Sequence, residues 1–400
     1  MRRLCVLMVT GTLCACGTEQ PMRGWETSVD TLTGGTVRVV HHPSPAMATE
    51  WSLEEIFRVG TIDDDGPASF SGIRGLVVLD DERFAVLDDI TQEVRVFAAD
   101  GTHVVTHGRK GGGPGEFEAA FGLMRDSRGL LWVPDYRNAR MSVLDPDLGL
   151  QWSRPLQVLS RGFIWRGAML DSDHIWKPSI TLGPPRANVI RVYSPEAELV
   201  DSLALPQDPD VDPKDPPNAF TWHSSDGRSN AYYQVPYFPL GETLIDPSGA
   251  IWSTAYGDPS YRIARWEPEG DTTLILETRR PPIGIPASER DSAISVVREA
   301  LMQRGAANQD WTKVPTTRPA VLGLFMSEDG DLWVRTQLRD SEVFDVYDRA
   351  GMYLRTVRNS LKLYRWLRPV VRGNDLWAVV TDEFDVHYVV RARLVPAVAK

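Results

Sequence analysis

The chain has 400 residues, of which 42% are hydrophobic, 24% charged and 9% aromatic. That is ample for a large core and excludes wholesale disorder, collagen-like repeats and a polytopic membrane protein. The formal net charge is −11, with no Lys/Arg-rich block, so nucleic acid is a poor partner on electrostatic grounds.

The amino terminus carries Arg2 and Arg3, then an apolar run from Leu4 to Leu13 that is too short to span a bilayer. Leu13-Cys14-Ala15-Cys16 is similar to the lipobox of bacterial lipoprotein signal peptides. That resemblance implies a signal peptide over residues 1–15, a cut after Ala15, and Cys16 as a lipidated first residue that anchors the protein to a membrane by acyl chains. The alternative is a plain secretory peptide with a different cut. All three cysteines, Cys5, Cys14 and Cys16, lie in this segment, so the mature domain is expected to hold no disulfide, thiol nucleophile or Cys-ligated metal. The location is then extracytoplasmic. Gly17 stands where an Asp would resemble an inner-membrane retention signal, which favours the outer membrane or periplasmic face. Residues 16–50, rich in Gly, Pro, Thr and Ser, read as a tether in which Thr36–Val40 could add an edge strand.

From residue 51 to 398 a short phrase recurs: a turn-forming Asp/Gly pair, an aliphatic residue, then an aromatic one. It reads DSRGLLWV at Asp126–Val133, DPSGAIWS at Asp246–Ser253, EDGDLWV at Glu328–Val334 and GNDLWAV at Gly373–Val379. Weaker copies end at Trp176 and Val86. The aromatic positions are Phe84, Trp132, Trp176, Trp252, Trp333 and Trp377, spaced by 48, 44, 76, 81 and 44 residues. Six units of about 45 residues with two insertions explain this series. Each phrase is followed by a second strand-like run, such as Val94–Phe97 or Val343–Tyr347, then by a turn and a third run, such as Met352–Val357. With the aliphatic segment before each phrase, that makes four short strands per unit, the pattern of a β-propeller blade. The last unit ends without a fourth strand, and an unassigned strand, Leu53–Gly60, precedes the first complete unit. The expected fold is therefore all-β: a six-bladed β-propeller of four-stranded blades, closed by an N-terminal strand, with no free sheet edge. A β-sandwich with a separate domain is the alternative, and it gives no reason for the period.

Gly108–Phe117 reads GRKGGGPGEF. With the LDD and RVFAADG phrases before it, this resembles the bacterial six-bladed β-propeller lipoproteins related to NHL-repeat proteins. Asp135, Asn138 and Arg140 approach the Asp–Asn–Arg–Val pattern common in NHL-like units, whereas Asp88 lacks the Asn and the third and fourth units keep little of it. The resemblance implies a fold much more than an activity.

The insertions cover about 207–236 and 282–319, both in connections from a fourth strand to the next first strand, so both should stand over one face. The first is Pro/Asp-rich and then aromatic, with Trp222, His223, Tyr232 and Tyr233 either covering a ligand or packing the loop onto the blades. The second predicts one helix over Glu289–Gln303, with Ser288 and Asp291 as a capping box and Gly305 at the carboxyl end. Ile294, Val297 and Leu301 would form its apolar face, either as a lid or as a fixed brace.

The sequence carries no HExxH, GxSxG, phosphate loop or Rossmann fingerprint, so no cofactor, metal site or catalytic residue is assigned. The expected innermost strands are Ile73–Leu79, Ala119–Arg125, Phe163–Leu170, Phe238–Ile245, Val321–Ser327 and Tyr364–Val371; Glu242 is their only carboxylate, too few oxygens for a hard cation. They carry Arg74, Arg125, Arg166, Arg365 and Arg368 near Trp165, Tyr364 and Trp366. Arg beside aromatic faces suits an anionic or carbohydrate ligand; the alternative is that these Arg pair with turn acids such as Asp88, Asp135, Asp258, Asp340 and Asp382. The expected function is binding of a ligand or protein partner at the channel face. The alternatives are a hydrolase or lyase acting on carbohydrate or peptide, with Glu242, His223 or Tyr233 as acid or base, and a protein-docking scaffold.

Overall fold

The computed structural model describes residues 25–43, 51–62, 66–156, 167–181, 188–205, 215–224, 226, 228–268, 270–306, 308–338 and 341–397. They are mostly β, arranged in several separate sheets with one α-helix among them.

The first module is an antiparallel meander of Ile73–Val78, Phe84–Asp88, Glu93–Phe97 and His103–His107. The second repeats it with Met124–Arg125, Leu131–Asp135, Arg140–Leu144 and Leu150–Pro155, and the third with Ala168–Met169, Ile175–Ile180, Asn188–Tyr193 and Leu199–Ala204. The fourth comprises Thr243–Ile245, Ile251–Ser253, Arg262–Trp266 and Thr272–Thr278; the fifth comprises Gly323–Met326, Leu332–Leu338, Ser341–Tyr347 and Tyr353–Arg358. The sixth has only three strands from its own stretch of chain, Val370–Arg372, Asp375–Thr381 and His387–Pro396. Its fourth is Trp51–Val59, which runs antiparallel to His387–Pro396 in a register from Val59 opposite Val389 to Trp51 opposite Pro396. The strand missing from the carboxyl end of the pattern is thus supplied by the amino-terminal side of the chain. Trp51 and Ser52 also pair in parallel with Val357 and Arg358, joining the fifth and sixth modules into one eight-stranded sheet.

The repeated aromatic opens or nearly opens each second strand because it fills the gap between sheets. Phe84, Trp132, Trp252, Trp333 and Trp377 are all fully buried. Trp176 is half-buried, and its neighbour Ile175 takes the buried place. Two of these indoles are tied to the turn before them. Asp126 accepts from Trp132 Nε1 at 3.1 Å and Asp246 from Trp252 Nε1 at 3.0 Å. The same carboxylates cap their turns by accepting from the backbone N–H groups of Arg128 and Leu130, and of Ser248 and Ala250. This is why Asp stands six residues before Trp.

Neighbouring modules are joined by hydrogen bonds. The Ala120 N–H donates to Gln92 Oε1, Ser127 N–H to Asp173, Asp171 N–H to the Pro247 carbonyl, and Ala320 N–H to the Pro259 carbonyl. Glu328 N–H donates to the Val371 carbonyl, and Arg372 of the sixth module donates to the Leu79 carbonyl of the first at 2.6 Å. Gly75 allows one of these approaches, since a Cβ there would lie 2.4 Å from that of Leu123.

Three expectations differ from the structure. The stretch read as a tether contains a hairpin, Trp25–Thr31 with Val37–Pro43, whose second strand runs parallel to Thr272–Thr278 and buries Val39, Val40 and His41. Tyr364–Val371 is not a strand: a turn occupies Arg365–Leu367 and pairing begins at Val370. The second innermost strand is reduced to Met124–Arg125, the fourth to Thr243–Ile245 and the fifth to Gly323–Met326, and the start of the third expected one lies outside the described residues. No helix among the described residues is long and apolar enough to cross a membrane.

Candidate functional site

Each module has two ends: one with the turns joining first to second strands, the other with the starts of first strands and the connections between modules. The expected site residues divide between these ends. Arg125, the last residue of its strand, lies at the first-to-second turns, where it pairs with Asp80 and approaches Glu328 at 3.7 Å. Arg372 binds the same Glu328 at 2.5 Å. These bonds tie turns of the first, second, fifth and sixth modules together. Arg125 is therefore spent on the end opposite the insertions.

Arg74, Tyr364, Arg365, Arg368 and Glu242 lie at the insertion end. Arg74 Nε donates to Asp89 Oδ2 at 2.8 Å, and Nη1 donates to the Tyr364 hydroxyl at 2.7 Å. Burial lowers the Arg74 pKa, but the bond to Asp89, the Asp89 charge and Tyr364 together outweigh it and the net shift is upward. Arg365 is exposed and lies over the ring of Trp366, 4.2 Å from its centre. Arg368 Nη2 donates to the Thr243 carbonyl at 2.6 Å, reaching from the sixth module to the fourth. Glu242 is half-buried beside that carbonyl, with its N–H on Thr254 Oγ1. Trp165, Arg166 and Cys16 lie outside the described residues, as does Asp340.

Arg74 and Arg125 do pair with turn acids, Asp89 and Asp80, while four of the acids weighed as partners cap turns. Asp88 accepts from the N–H groups of Ser71, Ile90 and Thr91, Asp258 caps Ser260, and Asp382 accepts from Phe384 and Val386 N–H and from the Tyr388 hydroxyl. Asp135 accepts from Glu118 and Ala119 N–H and from Asn138 Nδ2. Asn138 then donates to the Gly111 carbonyl, and Arg140 to the carbonyls of Gly112 and Gly113. The Asp–Asn–Arg pattern thus clamps the glycine-rich loop, in which Gly108 and Gly115 hold the left-handed backbone expected of them, at φ +96° and +73°.

The two insertions pack on each other. The first forms a hairpin, Ala219–His223 with Asn230–Gln234; the second holds the helix α1, Ala287–Met302. Phe220, Val235, Ile294, Leu301 and Val314 are buried together, with Trp222, Tyr233, Val297 and Trp311 against them. Tyr233 accepts from Arg304 Nε at 2.7 Å, and Trp222 lies under the same guanidinium. The aromatics thus pack on α1, a partner that was not among those expected. His223 is exposed. The capping box is absent: α1 starts after Pro286 with no side-chain cap bond, whereas Gly305 follows the helix at φ +75°. Proline at this boundary has the fixed φ that a helix start tolerates.

Sequence reasoning overlooked two groups. His387 lies 4.4 Å from the Tyr364 ring, and its Nδ1 accepts the Ile73 N–H at 2.9 Å. Burial, then the charge of Arg74, lowers its pKa, and that acceptor bond fixes the neutral form with its proton on Nε2. No repeat or motif marks it, because the placement depends on the junction between the sixth and first modules. Lys177 is buried opposite Arg191 in the third module, and burial followed by that charge pushes its amine down to about 8. Among the described residues no group of three or more His, Cys, Asp or Glu is placed to hold a metal ion.

The sequence matches no family model and no curated protein. Among solved structures it is similar to a member of the DUF4221 family from Bacteroides vulgatus (9% identity, TM-score 0.49, 87% of this chain and 99% of that one). It is also similar to a PQQ-bound aldose sugar dehydrogenase from Streptomyces coelicolor (12%, 0.43, 88% and 100%). A third is a streptogramin B lyase (11%, 0.43, 86% and 98%). Likeness at this level transfers no chemistry to the chain.

Proposed function

We propose that the six modules close as a six-bladed β-propeller related to the NHL-like lipoproteins, and that the end bearing both insertions binds a ligand. The ring of inter-module bonds and the borrowed strand Trp51–Val59 support the closure. The observation that carries the binding reading is the cap: two connections 46 residues apart, ending at 236 and starting at 282, build one small core at the end of the modules that also bears Arg74, Tyr364, Arg365 and Trp366. A connection needed only to join strands requires no second layer. Opposite-end arginines are consumed in bonds between turns, which leaves the capped end as the binding face for an anionic or carbohydrate ligand. The Leu13–Cys16 phrase supports anchoring through Cys16 at an extracytoplasmic membrane face.

The test is native mass spectrometry of the full chain purified from its own envelope, with and without Arg365→Ala and Trp366→Ala together. A bound mass lost in the double variant supports the reading. An undiminished bound mass, or turnover of a glycoside, lactone or uronate panel abolished by Glu242→Gln, would replace it with another site or with an enzyme. Palmitate labelling that persists in Cys16→Ala would remove the anchor.

A further inference from the structure

The cluster at the junction of the sixth and first modules is built more tightly than the rest of the capped end. Arg74 is held from two sides by Asp89 and Tyr364, and its side chain keeps 22% exposure. Its Nη2 has no protein partner among the described residues. His387 is held by the Ile73 N–H on Nδ1, which leaves the Nε2–H as a donor with no protein partner among the described residues. Two orientations are thus fixed before any ligand arrives, which lowers the ordering cost of binding.

Three exposed apolar side chains stand in the segments that flank the cluster. Ile90, 63% exposed, follows Asp89 and touches Gly72 near its own backbone turn. Phe384, 76% exposed, sits in the turn that ends at His387, and Ile62, 63% exposed, follows Gly60, which packs against the His387 carbonyl and the Tyr388 ring. Large apolar side chains left in water in the segments that flank a fixed donor pair point to a ligand with both characters.

The charge sets the class further. Asp89 already neutralises much of Arg74, and Glu383 and Asp385 are exposed beside Phe384. A dianion would meet these carboxylates, whereas a single negative charge needs only two donors. We infer that Arg74 Nη2 and His387 Nε2 form a carboxylate subsite for an organic acid with an apolar body, which would lie on Ile62, Ile90 and Phe384. This deepens the ligand-binding reading above and rests on it.

The experiment is calorimetric titration of the full chain with hexanoate, hexanamide, acetate and inorganic phosphate. The expected result is hexanoate bound at least about tenfold more tightly than each of the others, with that preference lost in Arg74→Met. His387→Gln, whose side-chain oxygen can still accept the Ile73 N–H, keeps the test open if Arg74→Met fails to fold; it should weaken hexanoate by about tenfold at unchanged melting temperature. Equal affinity for hexanoate and hexanamide, phosphate bound as tightly as hexanoate, or hexanoate binding untouched by either variant overturns the inference. So does no hexanoate binding by a protein that still retains its envelope ligand, an outcome that leaves the broader reading standing. Loss of both falsifies the two together.

Discussion

The Asp246 carboxylate accepts the Trp252 indole N–H at 3.0 Å while two backbone N–H groups of its own turn donate to the other oxygen. Asp126 repeats the arrangement with Trp132. In the fifth module Ser327 holds the corresponding place six residues before Trp333, and the Trp333 Nε1 is buried without a partner. In the sixth the place is Val371, and Trp377 Nε1 is likewise unpartnered. The aromatic supplies buried volume in five modules, and Ile175 supplies it in the third; the acid is an addition that two modules use.

Asp246→Ala should cost about 2–3 kcal/mol, because it removes a charge-assisted bond and leaves a buried indole N–H and turn amides unpaired. Trp252→Phe alone loses volume as well. The pair should couple by about 1 kcal/mol in a double-mutant cycle read by urea denaturation, since either change removes the same bond. Strict additivity would mean that the carboxylate acts on the turn alone.

Glu328 joins Arg372 and Arg125, and so joins turns of the second, fifth and sixth modules. Glu328→Gln should destabilise the chain by about 1 kcal/mol at low salt, because these side chains remain about a quarter to a third exposed and solvent screens the charge. Raising the salt to about 0.5 M should shrink the difference by shortening the screening length. A difference that salt leaves unchanged would point to the hydrogen-bond geometry instead.

The period of the fold was legible because the module repeats its aromatic, and the closing strand because the last unit lacks one. The partners that each innermost arginine finds were not legible. Arg74 stands second in its strand and Arg125 last in its own, so two residues equivalent in type lie at opposite ends of the modules, and only the structure shows that Arg125 meets Asp80 and Glu328 there. The strand at Thr36–Val40 was legible, but its hairpin partner Trp25–Thr31 was hidden because its apolar face is short and is completed by rings from elsewhere: Trp25 stacks on Tyr353 at 3.8 Å, and His41 lies 5.3 Å from Tyr347. The apolar residues of both insertions were visible, but amphipathic patterning names a buried face without naming what buries it. The Arg74–Tyr364 contact was half-legible, as residue types without a geometry.

His41 is buried between Thr27 Oγ1 and the Gly351 carbonyl. Burial lowers its pKa; the Gly351 bond, Asp345 and Asp348 oppose this and His42 adds to it. His107 and His387 are also lowered, mainly by burial. The unfolded chain therefore binds more protons than the folded one once the pH falls to about 6.5. Stability should be highest above that value, decline as the pH falls through it, and level off below the depressed native values. His41→Gln, which keeps a donor and an acceptor, should reduce the slope of stability against pH between about 7 and 5. A slope equal to that of the parent chain would show that the other groups carry it.

The cap has its own core, so its loss should be local. Leu301 is fully buried among Phe220, Val235, Ile294 and Val314, none of which lies in the six modules. Leu301→Ala should cost about 2–4 kcal/mol of cap stability. Hydrogen exchange should accelerate across Ala287–Met302 and across the hairpin strands Ala219–His223 and Asn230–Gln234, while amides of the second strands, such as Leu131–Asp135 and Asp375–Thr381, keep their protection. Faster exchange in those strands too would show that the two insertions brace the whole ring. If α1 alone responds, the hairpin is held by the modules, and the single layer over the capped end has to be divided into two.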